Sequence, residues 1–248
     1  MSNRFKSRYD DDINLFEGRW HLAQYAILMA LLVAAPWLLG TYYLGELTAV
    51  LVWSLAGLGL MLISGHTGQV SLGHAAFMAI GAFTNLALML RGWDFIPALL
   101  ASAVTSGVIG AIISRPILRM SGIYLAIATL ALSIIIEDVA IIAEPITGGV
   151  AGVFAPPIAL FGMEIDRYAT PEAFYYLCLA VLVLVTLGYL NLLRSASGRS
   201  FLAVRDSEVS ARALGVNVAR AKTLSFSLSC AITGLAGALY AHLAQAVN

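Results

Sequence analysis

The stretch SASGRSFLAVRDSEVSARALGVNVARAK, residues 195–222, is the one long polar segment between hydrophobic runs that are too long for a soluble core. It predicts a short helix with recognisable end signals, which are Asp206 or Ser207 as the N-cap, Glu208 in the first turn, Arg212 in the last turn and Gly215 at the C-terminal stop. A connection between two membrane spans needs fewer residues. We therefore interpret this stretch as a docking element; the alternative is a solvated loop without a dedicated partner.

The predicted helix also has chemically distinct groups along its length. Val209, Ala213 and Leu214 form a modest apolar stripe. Basic side chains in and around the helix remain for water, lipid headgroups or a partner, and they are Arg205, Arg212, Arg220 and Lys222. This combination of an apolar stripe and free basic groups is what we expect of a surface that binds another molecule.

The composition of the chain indicates a membrane protein, because 60% of its residues are hydrophobic and only 11% are charged, with a formal net charge of zero. Its mean hydropathy is +0.87. We expect an all-α, polytopic integral membrane bundle of about seven transmembrane helices, forming a single domain over residues 1–248. The predicted spans are residues 20–40, 43–63, 71–90, 95–114, 123–144, 173–193 and 223–243.

The distribution of basic residues predicts how the chain is oriented. With a cytoplasmic N-terminal arm at residues 1–19, only Arg91 and Arg167 among the 14 basic residues fall on the outer side. Basic residues accumulate in cytoplasmic connections, so the segment 195–222 is predicted to be cytoplasmic. We expect a multi-pass membrane protein with a cytoplasmic N-terminus, in contact with membrane lipid.

Metal, redox and catalytic sites find no support in the sequence. Cys178 and Cys230 lie inside apolar runs, and neither belongs to a CxxC or Cys/His cluster. There is no GxxxxGK[ST] phosphate-binding motif, and no Ser/His/Asp constellation stands out in favour of an intramembrane hydrolase. We therefore expect no enzyme activity, no cofactor and no nucleic-acid partner, and any ATP must be hydrolysed by another subunit.

Glycine and polar residues interrupt the apolar pattern at residues 64–81. Transporters build substrate and gate regions from such interrupted helices, so Gln69, Ser71 and His74 are candidates for a substrate path or gate. The alternative is a cytoplasmic turn followed by a packed helix, with His74 as a hydrogen-bonded packing residue. Small residues at every fourth position predict close helix packing in two other spans, at Ser102, Ser106, Gly110 and Ser114 and at Ser225, Ser229, Thr233, Gly237 and Ala241. The alternative for these two stripes is that they line a substrate path.

Glu137 and Asp138 lie inside the apolar run that begins at Ile123. A carboxylate within the bilayer costs a few kcal/mol unless it is paired, protonated or near the interface. The pair therefore suggests a proton relay, and a proton-coupled secondary transporter is the alternative function. The two acids lie near the outer end of the run, however, so they can instead face an outward vestibule.

Three segments together resemble the LivM-type permease subunits of branched-chain amino acid ABC importers, to which urea and short-amide permeases are similar. The resemblance rests on GHTGQVSLGHAAFMAIGAF at residues 65–83, SGIYLAIATLAL at 121–132 with TGGVAG at 147–152, and GRSFLAVRDSEVSARALGVNVARAKTLSFSLSCAITGLAGALYAH at 198–242. It implies that the last segment contains a coupling helix that binds the ATPase subunit. The residues implied in coupling are Arg205, Asp206, Glu208, Arg212 and Gly215.

The resemblance also implies the composition of the whole transporter and its location in a bacterial inner (plasma) membrane. It predicts a homologous permease subunit, two cytoplasmic ABC ATPase subunits and an external solute-binding protein as partners, with a branched-chain amino acid, urea or a short amide as the solute. The family's coupling pattern places an acid six residues before the glycine, where this chain has Val209. Family members usually continue beyond the helix that ends near His242, so we expect this chain to lack the family's C-terminal segments.

Overall fold

A computed structural model describes residues 19–117, 120, 122–160 and 163–247 of the chain. The predicted cytoplasmic arm lies outside the described residues except for Arg19, the first residue of a helix. The helices are α1 (Arg19–Leu38), α2 (Thr41–Thr67), α3 (His74–Met89), α4 (Phe95–Ile117), α5 (Ile123–Ile142), α6 (Glu144–Thr147), α7 (Pro171–Arg194), α8 (Ala196–Asp206), α9 (Glu208–Ala213) and α10 (Val218–Ala244). The prediction of an all-α polytopic membrane protein is confirmed.

Each predicted span coincides with a helix, but the helices differ in length. In the described part of the chain, 5 helices are long and apolar enough to cross a membrane, namely α2, α4, α5, α7 and α10. Helix α3 has 16 residues. At 1.5 Å per residue it covers about 24 Å, which is less than the hydrocarbon core of about 30 Å. The apolar part of α1, Ala23–Leu38, is equally short, so the number of seven spans stays a prediction.

The connection between α5 and α7 contains short strands that the sequence did not predict. Strand β1 (Val153–Phe154) pairs antiparallel with β4 (Ala246–Val247), which follows α10. Strand β2 (Ile158–Leu160) pairs antiparallel with β3 (Met163–Ile165). The pairing of β1 with β4 therefore attaches this connection to the C-terminal end of α10.

Asp166 strengthens this attachment through a local set of hydrogen bonds. Its carboxylate accepts from the backbone N–H groups of Tyr168 and Ala169 and, at 2.8 Å, from the side-chain amide of Gln245 just after α10. Burial raises the pKa of Asp166, but these hydrogen bonds together lower it more, so the pKa lies below its ordinary value. The carboxylate is therefore ionised at neutral pH and accepts all these bonds.

Helix α10 lies at the centre of the bundle and packs against α2, α3 and α4. Of its apolar segment 61% is buried, compared with 17% for α5. Small residues allow this close approach: a Cβ atom on Gly237 would overlap the backbone carbonyl oxygen of Met78 on α3. The small-residue positions that are fully buried (0% exposed) include Ser102, Ser106, Ser225 and Ser229, which confirms the packing interpretation of the two stripes.

Candidate functional site

The polar stretch 195–222 forms two helices rather than the single helix predicted. Helix α8 precedes the predicted one, with the Ser195 hydroxyl as N-cap acceptor for the N–H of Gly198 at 3.3 Å. Phe201 and Val204 face inward and are 0% and 3% exposed. The prediction missed α8 because its apolar stripe is so short, whereas packing against the bundle stabilises even a short amphipathic helix. Asp206, a candidate N-cap in the prediction, is instead the last residue of α8.

The predicted short helix is α9, and its end signals are those expected. Ser207 is the N-cap, and its hydroxyl accepts from the N–H of Ser210 at 3.2 Å. Gly215 has a φ of +86°. The N–H of Val216 donates to the carbonyl of Ala211 at 2.9 Å, and that of Gly215 to the carbonyl of Arg212 at 3.1 Å. These two bonds define a Schellman motif, which favours glycine at the residue with positive φ.

Helix α9 presents its apolar side chains to the outside of the molecule. Val209 and Leu214 are 81% and 84% exposed, whereas Ala211 is buried against the bundle. Arg212 on the same helix and Arg220 near the start of α10 are exposed as well. Exposed apolar side chains bordered by positive charge are typical of a protein-binding surface. We call Val209, Arg212, Leu214 and Arg220 the outer face of the coupling segment.

Two predicted coupling residues, Glu208 and Arg205, make contacts within the chain although their side chains are 46% and 43% exposed. The ammonium group of Lys222 lies 2.6 Å from Oε1 of Glu208, and the Lys222 side chain is only 10% exposed. Lys222 is therefore not free for water, lipid or a partner as the sequence analysis expected, because the fold brings the start of α10 beside the start of α9. Arg205 donates to the carbonyl oxygen of Gly65 at 3.0 Å and pairs with Asp206 at 3.2 Å.

A cavity of about 150 Å³ joins the two regions that the sequence singled out separately. One wall consists of residues 67–70, from the glycine-rich stretch, and another contains Arg205, Glu208 and Lys222. The candidate gate residue Gln69 thus lies next to the candidate coupling residues. Sequence separation concealed this proximity, since the two walls are more than a hundred residues apart along the chain.

Gln69 is bound to α10. It is 3% exposed, and its amide nitrogen donates to the Ser225 hydroxyl at 3.2 Å. The Ser225 hydroxyl in turn donates to the carbonyl oxygen of Lys222 at 2.9 Å. Among the described residues, no hydrogen-bond partner is found for Oε1 of Gln69.

His74 and Ser71 form a second buried connection to α10. Nε2 of His74 lies 2.6 Å from the Ser229 hydroxyl, which itself donates to the carbonyl of Gly59 at 2.5 Å. Because Ser229 has a single hydroxyl proton, Nε2 must be the donor, which leaves Nδ1 to accept from Ser71 at 2.8 Å. Both ring nitrogens of a neutral imidazole are thereby satisfied. In this arrangement neither is available to a solute or a transported proton.

Glu137 and Asp138 lie apart from this cluster. Both are exposed on α5, and neither has a hydrogen-bond or ion-pair partner among the described residues. Thr129, on the same helix, contacts the glycine-rich stretch, because its hydroxyl accepts from the N–H of Leu72 at 3.0 Å. At 1.5 Å per residue, Glu137 lies roughly 12 Å further along the helix axis than Thr129. Among the described residues, these carboxylates therefore lie outside the hydrogen-bonded cluster that contains Gln69, Ser71 and His74.

Comparison with known proteins decides the family. The family described as "Branched-chain amino acid transport system / permease component" matches residues 42–248, which include α2 to α10 and both polar regions of the site. The chain belongs to this permease family. The resemblance inferred from the three sequence segments is thus confirmed, and with it the interpretation of the chain as a transporter permease component and not an enzyme.

Individual members of this permease family are similar over most of the chain. The high-affinity branched-chain amino acid transport system permease protein LivM of Salmonella typhimurium is 34% identical over 88% of this chain and 57% of its own length. LivM of Escherichia coli is 32% identical over 86% of this chain and 56% of its own length. A probable LivM of Methanocaldococcus jannaschii is 27% identical over 58% of this chain.

The chain spans little more than half the length of the first two relatives. No solved structure matches it significantly. The geometry of the coupling segment and of the buried cluster therefore rests on this chain's own structure.

Proposed function

We propose that the chain acts as a transmembrane permease subunit of an ABC importer that moves branched-chain amino acids or a related small polar solute. The observation that carries the proposal is the outer face of the coupling segment, where the apolar side chains of Val209 and Leu214 are exposed. The chain that contains this face belongs to the permease family. An ATPase bound there would supply the energy, because the sequence contains no phosphate-binding loop of its own.

The proposed assembly contains a homologous permease subunit, two cytoplasmic ATPases and an external solute-binding protein. The ATPases would contact the outer face of the coupling segment. The binding protein would contact the opposite end of the bundle, where the β1–β4 pairing holds the connection between α5 and α7. Family membership and the named substrates of the LivM relatives support this composition.

Replacing Gly215 with valine tests the coupling role of α9. A β-branched residue at a φ of +86° is strained by about 1–2 kcal/mol, so the Schellman end of α9 should distort. That free energy corresponds to a weakening of ATPase binding of roughly tenfold. We expect an inserted, folded permease with reduced ATPase co-purification and little leucine uptake.

Gly92→Val is the matched control for this experiment. Gly92 also has a φ of +86°, and at both glycines a Cβ atom would meet nothing within 4 Å. Gly92 lies between α3 and α4, at the opposite end of the bundle. The same strain there should leave ATPase binding unchanged. Equal ATPase binding and uptake in the two variants and the parent chain would reduce the coupling segment to a simple connector.

Thiol labelling tests the proposed orientation. Trp93, between α3 and α4, and Ala196, at the start of α8, are both exposed. We expect Trp93→Cys to react with an impermeant thiol reagent in intact cells and Ala196→Cys to react only in inside-out membranes. Background reaction should be low because the native Cys178 and Cys230 are 1% and 0% exposed. The reverse pattern would contradict a cytoplasmic coupling segment.

A further inference from the structure

Helix α9 has an inner face as well as the outer face that would bind the ATPase. Glu208, in the first turn of α9, forms its ion pair with Lys222 in the second turn of α10, and the N···O distance is 2.6 Å. Ala211, one turn further, is 2% exposed. Arg212 and Leu214 face the other way. The acid that resembles a coupling residue in the sequence is therefore engaged within its own chain.

Lys222 makes this contact difficult to break. Its side chain is only 10% exposed, and a buried ammonium group is tolerated when a carboxylate neutralises it. Glu208 is the single carboxylate in ion-pair contact with it among the described residues. Separating the two groups would leave a nearly buried charge without a partner. The start of α9 and the start of α10 are thus expected to move together.

Hydrogen bonds extend the connection from Lys222 into the glycine-rich stretch. The carbonyl of Lys222 accepts from Ser225, whose hydroxyl accepts from Gln69. A second, independent contact joins the same regions, because Arg205 at the end of α8 donates to the carbonyl of Gly65. The coupling segment is therefore attached at two points to the glycine-rich stretch, at Gly65 near the end of α2 and at Gln69 just after it.

We propose that Glu208 and Lys222 are positioning residues that transmit displacement of α9 to α10 and, through Ser225, to Gln69. In this assignment the outer face binds the ATPase, whereas the ion pair converts that binding into movement of the bundle. The inference rests on the proposed function and changes the role expected of Glu208, which acts within the permease and not as a contact to the ATPase.

The test separates binding from transmission with charge reversals on the two sides of the coupling segment. The full chain is reconstituted in proteoliposomes with its partner permease, ATPases and binding protein, and radiolabelled leucine is the probe. We expect Lys222→Glu to retain ATPase association but to lose at least about tenfold in leucine uptake per ATP hydrolysed. Arg212→Glu, on the outer face, should instead lose ATPase association.

Rescue by exchange of the two charges distinguishes transmission from a general structural defect. The double variant Glu208→Lys, Lys222→Glu restores an ion pair, so uptake per ATP should return to within about threefold of the parent. Because Lys222→Glu by itself can misfold, the neutral pair Glu208→Gln, Lys222→Met is made in parallel. It leaves no unpaired buried charge, so it should fold and bind the ATPase. Its leucine uptake per ATP hydrolysed should nevertheless stay about tenfold below that of the parent.

Several outcomes would overturn the inference. One is that the exchanged pair takes up no more leucine per ATP hydrolysed than Lys222→Glu does. Another is that the neutral pair takes up as much leucine per ATP hydrolysed as the parent. ATPase association is scored whether or not leucine is taken up, and its loss in the neutral pair Glu208→Gln, Lys222→Met would return Glu208 to the ATPase interface. If the parent complex binds the ATPase and hydrolyses ATP but imports no leucine, that result contradicts only the proposed solute and not the role of Glu208 and Lys222.

Discussion

Replacing Gly237 with alanine is expected to destabilise the bundle, because the added methyl group has no room between α3 and α10. The new Cβ atom would overlap the backbone carbonyl oxygen of Met78, and a backbone atom cannot move aside as a flexible side chain can. Helices α3 and α10 would have to separate. Overpacking of this kind costs about 3 kcal/mol, which lowers the melting temperature of a chain of this size by about 6–12 °C.

Gly188→Ala provides the matched control. Gly188 lies in the transmembrane helix α7, but it is exposed, and a Cβ atom there would meet nothing within 4 Å. The same substitution should raise the free energy of unfolding by about 0.5–1 kcal/mol, because alanine favours a helix interior more than glycine does. Fluorescence-detected thermal unfolding of the two purified variants checks the difference. Equal melting temperatures would show that α3 and α10 do not pack as closely as described.

Replacing His74 with leucine is expected to reduce stability as well as uptake, because His74 connects three helices. Its ring contacts Ser229 on α10, which bonds to the carbonyl of Gly59 on α2, while Nδ1 holds Ser71 before α3. Loss of the imidazole leaves buried hydroxyl groups short of partners at a cost of about 2 kcal/mol. The melting temperature should fall by about 4–8 °C.

Two further substitutions separate this explanation from a direct contact with the solute. His66→Leu changes a less buried histidine of the same stretch, which bonds to Tyr189 at 3.0 Å, and should cost less stability. His74→Gln retains a terminal N–H group for Ser229 and should recover part of both stability and uptake. If His74→Leu unfolded at the parent's temperature while leucine uptake disappeared, His74 would be a residue of the solute path.

Helix ends and helical spans were predictable because they depend on neighbouring residues. Ser207 satisfies an N–H group three residues away, and Gly215 accommodates a positive φ that few other residues adopt. Apolar runs of sufficient length require helices in a membrane, where every backbone polar group needs an internal partner. The three family segments can also be read in the sequence itself, so they indicate the permease family without reference to the fold.

Contacts between distant residues were not predictable in the same way. Lys222 resembled a free basic group, and only the proximity of α9 and α10 shows that it pairs with Glu208. The polar residues Gln69 and His74 suited a solute path and a packing contact equally well, until the structure placed them against serines of α10.

The sequence by itself therefore determined the membrane class, the helices at the seven predicted spans and the local ends of α9, since each follows from composition or from interactions within a few residues. The tertiary structure decided which polar groups are satisfied inside the bundle and which remain at its surface. A polar side chain has the same identity in either place. Whether it binds a partner or its own chain depends on which distant backbone or hydroxyl group the packing of α10 brings within hydrogen-bonding distance.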